Sequence, residues 1–292
     1  MTQPTISFIN PRVRLPVLTP TRLKLYKRCA RLYGYVEVMG IRSPPNWAMV
    51  GGTAIDATLN EHHSLRIRGS NGLRGTALTD FFVHTLRQVV VQQAPAGEDD
   101  SDTETDGVRL LPIYEKKIDP HLQPIAVQKT LQWDIPGVVL PNGITQPAFT
   151  MQGHLDLLTK TPISTIIDDH KFTSRMPTPT TCATSMQMWG YSLGSKQETN
   201  SMVPTDNTRL IHLVRRKREP DVVTTSHIVT DENRSDFVRM AQEAAIQIQL
   251  GYFPMTDPSN FMVCSPTQCG LWSRCRGSKT GPLQIPGEVS LG

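Results

Sequence analysis

The chain has 292 residues and a formal net charge of +4, and its length permits one large domain or two small ones with a buried core. Its hydrophobic content of 38% and charged content of 19% are those of a soluble globular protein. No apolar run reaches the roughly 18–20 residues of a membrane span, and the amino terminus lacks the apolar core of a secretory signal. The sequence therefore predicts a cytoplasmic protein with no membrane contact. The small positive charge is compatible with a polyanionic partner but does not require one.

The first third of the chain carries apolar side chains at helical spacing. Three helices are predicted there, over residues 19–39, from about Val50 to Arg68, and from Thr79 to Gln93. Threonine is a good N-cap, so the first helix is expected to begin just after Thr19 or Thr21. Together the three form a predicted helical arm over residues 19–95. The strongly acidic residues 96–107 follow, and they are predicted to form an exposed, mobile loop.

Residues 108–250 are expected to form an α/β core. Five β-prone runs are found there, at residues 125–135, 148–159, 164–174, 209–216 and 221–230, with helices predicted over Thr184–Leu193 and Ser235–Leu250. Strands mixed with helices in this order indicate an α/β fold. A cysteine-rich segment over 251–277 and a tail over 278–292 complete what is predicted to be a single domain over residues 1–292.

Two acidic positions and a lysine lie at the ends of two consecutive predicted strands. Asp156 ends one strand, and Asp169 and Lys171 end the next. Side chains alternate along a strand, so Asp169 and Lys171 share a face that Asp156 can reach if the strands are neighbours. Two carboxylates can hold Mg²⁺ or Mn²⁺, and a lysine can offset charge on a phosphodiester under attack. From these residues alone, a surface salt bridge at a strand end is the alternative interpretation.

The five cysteines are unevenly placed. One lies near the start of the chain, one is isolated in the middle, and three are close together near the end: Cys29, Cys182, Cys264, Cys269 and Cys275. The first and the last three fit one iron–sulfur cluster or one structural zinc, because thiolates suit both. The looser C-x₄-C-x₅-C spacing favours iron–sulfur, and ordinary buried cysteines are the alternative. The isolated Cys182 is interpreted as structural.

These residues together resemble the RecB-like branch of the PD-(D/E)XK nucleases, which includes AddB-type nuclease domains, CRISPR-adaptation nucleases and many phage exonucleases. The matching motifs follow the family's order: Thr19-Pro-Thr-Arg-Leu23 with Cys29-Ala-Arg31 and Tyr33, Gly52-Thr-Ala-Ile-Asp56, Gly153-x-x-Asp156, Asp169-x-Lys171, Gln187-Met-Trp-Gly-Tyr191, and the three C-terminal cysteines. Two positions depart from the pattern. Asp56 stands where the family has histidine, and Gln128 stands where the family often has glutamate.

The resemblance implies a mixed sheet flanked by helices, behind a helical N-terminal arm, with a cysteine-ligated clasp joining the two ends of the chain. It implies a metal-dependent deoxyribonuclease, an exonuclease acting on single-stranded DNA ends in phage-type recombination, replication or repair. The implied roles are metal binding by Asp56, Asp156 and Asp169, stabilisation by Lys171, strand positioning by Gln187 and Tyr191, and a 4Fe–4S cluster, or alternatively zinc, on Cys29, Cys264, Cys269 and Cys275. DNA and recombination or replication proteins are the expected partners.

Two other functions stay open at this point. A non-catalytic DNA-binding or complex-assembly module could keep the fold after its site changed, as Asp56 and Gln128 suggest. The second open function is that of a nuclease that trims DNA for CRISPR adaptation. His154 and His170 flank the acidic residues and are expected on the opposite strand face or at the rim. The basic run at residues 215–218 fits either phosphate contact or an exposed turn.

Overall fold

The computed structural model describes residues 17–97, 102–141, 143, 145–198, 205–277 and 283–285. The chain divides into two compact units. Unit 1 comprises Met1–Ser43, Gln132–Gly153 and Asp231–Gly292, and unit 2 comprises Pro44–Leu131 and His154–Thr230. The predicted tail over 278–292 lies outside the described residues except at 283–285. The prediction of a single domain stays a prediction.

Within residues 17–97, four α-helices are present: α1 at Pro20–Arg28, α2 at Ala30–Tyr33, α3 at Trp47–Ile67 and α4 at Thr76–Gln93, with a π-helical turn at Gly34–Val38. The Thr19 side chain accepts a hydrogen bond from the backbone N–H of Arg22 at 3.1 Å, so the predicted N-cap is confirmed. The helix predicted over 19–39 is interrupted at Cys29, whose backbone is extended. The predicted arm also divides, because α1 and α2 belong to unit 1 whereas α3 and α4 belong to unit 2.

The prediction of a loop over 96–107 is wrong for its second half. Helix α5 runs over Thr103–Lys117, followed by a 3₁₀ turn at Asp119–His121, while residues 98–101 lie outside the described residues. The helix forms because Leu110, Leu111 and Tyr114 are fully buried in the core of unit 2. Gly107 allows this packing, since a Cβ atom there would lie 2.1 Å from the ring of Phe82. Tertiary packing thus outweighs the acidic, loop-like composition.

A five-stranded sheet has the order β1-β4-β5-β6-β7. Its strands are β1 at Pro124–Ile135, β4 at Phe149–Lys160, β5 at Thr165–Thr173, β6 at Asn207–Val214 and β7 at Asp221–Ile228; β2 at Val138–Val139 and β3 at Thr145–Gln146 form a small antiparallel ribbon. The pairs β4–β5 and β6–β7 are antiparallel, whereas β5–β6 is parallel. The predicted mixed sheet flanked by helices is therefore confirmed.

The parallel pair requires a crossover connection, and α6 at Met186–Gln197 lies between β5 and β6 in the chain. Ser185 caps this helix, accepting from the backbone N–H of Met188. Helices α7 at Asp231–Gln249 and α8 at Trp272–Cys275 follow in unit 1. A bilayer crossing would need a longer apolar helix than any that the described residues form.

The core of unit 2 consists of apolar side chains from α3, α4 and α5 packed against residues of the sheet. Fully buried members include Ile55 and Leu59 of α3, Phe82 of α4, and Ile211 and Leu213 of β6. This packing holds α3 against β5, the strand that carries the predicted acidic and basic residues. The fold thereby positions a helix beside the strand ends where the candidate site lies.

Candidate active site

The predicted site residues all lie in unit 2, on one helix before the sheet, on two neighbouring strands, and on the crossover helix. They are Asp56 on α3, Asp156 on β4, Asp169 and Lys171 on β5, and Gln187 and Tyr191 on α6. The register that pairs Leu157 with Asp168 brings Asp156 next to the middle of β5. The backbone N–H of His170 donates to Asp156 Oδ2 at 2.9 Å. The two strand-end motifs therefore meet, as the sequence predicted.

A chain of polar contacts links β5 to α6. Lys171 forms an ion pair with Asp169. The Gln187 side-chain amide donates to Asp169 Oδ1 at 2.9 Å, and its carbonyl oxygen accepts from Lys171 Nζ at 3.2 Å. The same amide lies 2.9 Å from the hydroxyl of Tyr191, one helical turn further along α6. Gln187 thus holds the aspartate and the lysine of β5 at fixed positions relative to each other.

Asp56 reaches the site from α3, in contact with the other position at which the chain departs from the family pattern. The side-chain amide of Gln128 donates to Asp56 Oδ2 at 3.4 Å. Among the described residues, Asp56 Oδ1 has no hydrogen-bond partner although it is buried. Gln128 itself has a φ of 47° within β1, a region that non-glycine residues seldom occupy.

Mutual repulsion and burial change the acidity of these carboxyl groups. Burial, together with the negative charges of Asp169 and Asp56, raises the pKa of Asp156 from 3.8 to about 8 against the opposing effect of Lys171. Burial and Asp169 likewise raise the pKa of Asp56 to about 6. Burial lowers the pKa of Lys171, but Asp169, Asp156 and Asp56 outweigh it and raise that pKa overall. The site therefore has a surplus of negative charge that a cation would neutralise.

The residues present fit a hard divalent cation. The charges of Asp56, Asp156 and Asp169 act on one another. The buried oxygens Asp56 Oδ1 and Asp169 Oδ2 have no hydrogen-bond partner among the described residues, although Asp169 Oδ2 is ion-paired with Lys171. Ligand atoms of Asp56, Asp156 and His170 lie within 4.8 Å of one another. Carboxylate oxygens are the donors that Mg²⁺ and Mn²⁺ prefer. The donor set and the electrostatics thus agree with the predicted cofactor.

Side-chain alternation along β5 predicted His170 on the strand face opposite Asp169 or at the rim, and it did not indicate how close the ring lies to the acidic residues. The ring is buried, and one of its nitrogens lies within 4.8 Å of carboxylate oxygens of Asp56 and Asp156. This proximity arises because Asp56 lies on α3, which packs against β5. His154, by contrast, is exposed and contacts the hydroxyl of Thr130 at 3.0 Å.

A second buried group of potential ligands is already neutralised by the protein. Asp119 forms ion pairs with Arg66 and Arg74 and accepts from His62 Nε2 at 2.9 Å. Burial raises the pKa of Asp119, but the hydrogen bond and charge of His62 and the two arginines outweigh this effect and lower it to about 2. These partners neutralise the negative charge of the Asp119 carboxylate. The group is accordingly a structural ion-pair network.

In unit 1, the four cysteines predicted to share a centre line a single cavity, at Cys29, Cys264, Cys269 and Cys275. Arg276 lies beside them, and its Nε donates to Cys264 Sγ at 3.0 Å. Burial raises the pKa of the Cys269 and Cys275 thiols, with neighbouring Cys29 adding to the effect. Cys182 is buried in unit 2 beside Thr208, consistent with a structural residue.

Comparison with known families supplies the assignment that this geometry suggests. The profile of the PD-(D/E)XK nuclease superfamily matches residues 17–276, which is most of the chain. The chain belongs to the PD-(D/E)XK nuclease superfamily. Its matched segment includes every residue of the carboxylate–lysine site and all four cysteines of the cavity.

The other two comparisons add no functional information about this superfamily member. No curated protein matches the chain. Among solved structures, the chain is similar to the one described as "Crystal structure of SSO0001", at 12% identity over 88% of this chain and 89% of that chain, with a TM-score of 0.39. A likeness at that level supports no further conclusion.

Proposed function

We propose that unit 2 hydrolyses phosphodiester bonds of DNA with the help of Mg²⁺ or Mn²⁺ held by Asp56, Asp156 and Asp169. The observation that carries the proposal is the meeting of three carboxylates beside Lys171, with one buried carboxylate oxygen left without a partner among the described residues. When bound, the ion would polarise a phosphate oxygen and lower the pKa of a water molecule.

Lys171 is the residue assigned to stabilise the charge that develops on the phosphate. Its ammonium is oriented by Asp169 and by the Gln187 side-chain carbonyl, so little reorganisation is needed when a substrate binds. Tyr191 and Gln187 form the side of the site on α6 and are assigned to position the scissile strand. Both roles follow the family motif on matching positions of this chain.

DNA is the proposed substrate, and a basic turn beside the site supports this choice. Arg216, Lys217 and Arg218 are exposed in the turn between β6 and β7. The turn starts beside the end of β5, where the backbone N–H of Arg215 donates to the carbonyl of Thr173 at 2.7 Å. Exposed cations two to four residues beyond the end of β6, the strand that pairs with β5, can contact phosphates along the backbone of a bound strand.

Exonucleolytic action on single-stranded ends, in phage-type recombination, replication or repair, is the finer form of the proposal. It rests on the resemblance to the RecB-like branch. The location in the cytoplasm and the recombination or replication partners stay predictions as well. The genes adjacent to this one would distinguish phage recombination from DNA trimming in CRISPR adaptation.

For unit 1 we propose a 4Fe–4S cluster on Cys29, Cys264, Cys269 and Cys275, with structural zinc as the alternative. Their common cavity and the N–H···S hydrogen bond from Arg276 support a metal centre, because a donor to sulfur favours the thiolate form. Arg28 and Arg31 add positive charge near Cys269 and Cys275. Such charges offset part of the negative charge of a thiolate-ligated cluster.

The nuclease proposal is tested with end-labelled single- and double-stranded DNA in Mg²⁺ or Mn²⁺. We expect the Lys171→Ala protein to lose cleavage, with a reduction of about 10²–10³-fold or more, while still binding DNA. The matched control is Lys160→Ala, which removes an exposed lysine from the far end of β4. Cleavage by Lys171→Ala at the wild-type rate would contradict the assignment.

A non-catalytic DNA-binding or assembly module is the second candidate. It is favoured by the replacement of the family histidine and glutamate with Asp56 and Gln128. Such a module would bind DNA without releasing nucleotides under any metal condition, and substitution of Lys171 would leave its affinity for DNA nearly unchanged. Metal-dependent release of labelled nucleotides by the wild-type protein would exclude it.

A further inference from the structure

A connected line of buried polar groups runs from Asp119 to the carboxylates of the site. His63 Nε2 lies 2.8 Å from the hydroxyl of Tyr114, and that hydroxyl lies 3.1 Å from His170 Nε2. The other nitrogen of His63, Nδ1, lies 4.0 Å from Asp119 Oδ1. All of these side chains are buried in unit 2. The line ends at His170, next to Asp56 and Asp156.

His170 Nδ1 is the free end of this line. Its Nε2 is occupied by Tyr114, and no described residue makes a hydrogen bond to Nδ1, although the atom is inaccessible to solvent. A ring nitrogen of His170 lies within 4.8 Å of oxygens of Asp56 and Asp156. A buried nitrogen without a partner costs free energy unless a ligand occupies it.

His63 Nδ1 has no hydrogen-bond partner among the described residues, and the charge of Asp119 at 4.0 Å favours one order of the hydrogen bonds in the line. The Asp119 carboxylate favours an N–H on the nearer nitrogen of His63, which leaves His63 Nε2 as an acceptor for the hydroxyl proton of Tyr114. The oxygen of Tyr114 then accepts from His170 Nε2–H. A neutral imidazole has only one N–H, so His170 Nδ1 carries a lone pair.

We propose that His170 Nδ1 is a direct ligand of the divalent ion, alongside Asp56 and Asp156, and that Tyr114 and His63 are positioning residues that fix its tautomer. The inference rests on the proposed metal site in unit 2 and adds a nitrogen donor to it. A histidine ligand whose second nitrogen is held by a hydrogen bond is the usual arrangement in protein metal sites. Imidazole also favours Mn²⁺ and other transition ions over Mg²⁺.

The test uses the full chain loaded with Mn²⁺ and pulsed electron paramagnetic resonance, which detects the ¹⁴N nucleus of a coordinated imidazole. We expect a ¹⁴N coupling in the wild-type protein and in His154→Gln, the matched control with an exposed histidine on the neighbouring strand. The coupling should vanish in His170→Gln, whose amide can still donate to Tyr114 while Nδ1 is removed. Circular dichroism and thermal unfolding verify that each variant is folded.

Metal affinity, measured by calorimetry without DNA, gives the second readout. His170→Gln should weaken Mn²⁺ binding about tenfold or more and Mg²⁺ binding less, and Tyr114→Phe should weaken Mn²⁺ binding by about 10–100-fold with the ¹⁴N coupling altered or lost. Mn²⁺ binding by the wild type without any ¹⁴N coupling would overturn the ligand role and leave the carboxylate site intact. Absence of Mn²⁺ binding by the wild type would overturn both proposals.

Discussion

Substituting asparagine for Asp156 should stabilise the metal-free protein at alkaline pH. Burial and the charges of Asp169 and Asp56 raise the pKa of Asp156 from 3.8 to about 8. Between these two values the folded protein keeps a proton that the unfolded chain has released, so the free energy of unfolding falls as the pH rises. The decrease is about 1.4 kcal/mol per pH unit, and on the order of 5 kcal/mol at pH 8.

Asparagine has the shape of aspartate but does not ionise, so the free energy of unfolding of the variant does not fall with pH for this reason. The amide replaces one oxygen acceptor with a donor, which costs about 1–3 kcal/mol where a buried hydrogen bond is left unmade. We therefore expect Asp156→Asn to gain about 2–4 kcal/mol at pH 8 in EDTA. Near pH 4 the gain should disappear, because this pH is close to the unfolded-state pKa of 3.8 and little of the loss has accumulated; at lower pH Asp156 is protonated in both the folded and the unfolded states.

The measurement is urea unfolding of both proteins in EDTA at pH 4, 6 and 8, with Asp80→Asn as the control that removes an exposed carboxylate from α4. Saturating Mn²⁺ should reverse the order of stability, since an ion that binds only the folded state stabilises the wild type more than the variant. The reasoning fails if Asp156→Asn is less stable than the wild type at pH 8 in EDTA, or if its gain does not depend on pH.

Two further predictions concern the metal centres. Asp56 and Asp156 have pKa values of about 6 and about 8, so ion binding must displace protons, and the affinity for Mn²⁺ should rise from pH 6 to pH 8 by up to about tenfold per pH unit for each proton released. Calorimetry in buffers of different ionisation enthalpy would count those protons. An affinity that stays constant with pH would contradict this prediction. Anaerobically purified protein should be brown and contain iron and sulfide. Cys29→Ala should lose both the colour and thermal stability, whereas the control Cys182→Ala should keep the colour. One bound zinc ion would exclude the iron–sulfur cluster and support structural zinc, and a stable metal-free protein would exclude both metal centres.

The arrangement of site residues at the strand ends could be predicted from sequence, because the spacing within the motif determines which side chains share a strand face. Asp169 and Lys171 are two residues apart on a strand, so one side of that strand must bear both, and hydrophobic flanks on either side identified β4 and β5. The position of Gln187 and Tyr191 at the site was implied by the resemblance to the family's Q-x-x-x-Y motif, and their four-residue spacing on α6 is compatible with one helix face. Contacts set by local periodicity were accessible before the structure.

Contacts that depend on packing between distant segments were not accessible. Helix α5 has an acidic start and a proline at position 112, so its composition resembles a loop, and only the burial of Leu110, Leu111 and Tyr114 makes it a helix. The approach of His170 to Asp56 likewise requires α3 and α5 to cover β5. No spacing within β5 reveals which helix lies over it. The sequence showed only that a histidine stands between Asp169 and Lys171.

The two departures from the family pattern are coupled in space and in charge. The resemblance to the RecB-like branch puts Asp56 where that pattern has a histidine, which adds a negative charge, and Gln128 where the pattern often has a glutamate, which removes one. The two side chains contact each other at 3.4 Å. A glutamate at position 128 would place a further carboxylate against Asp56, whose pKa is already raised to about 6 by burial and Asp169. The amide instead donates a hydrogen bond to that carboxylate.

This coupling predicts a non-additive pair of substitutions. Gln128→Glu alone should destabilise the metal-free protein at pH 8, because two adjacent carboxylates repel each other and the donor to Asp56 is lost. Asp56→His in the same chain should remove that penalty, since histidine can pair with the new glutamate. Urea unfolding of the wild type, both single variants and the double variant should give a coupling energy of about 0.5–3 kcal/mol. If the two effects simply add, Gln128 has no part in maintaining the charge of the site.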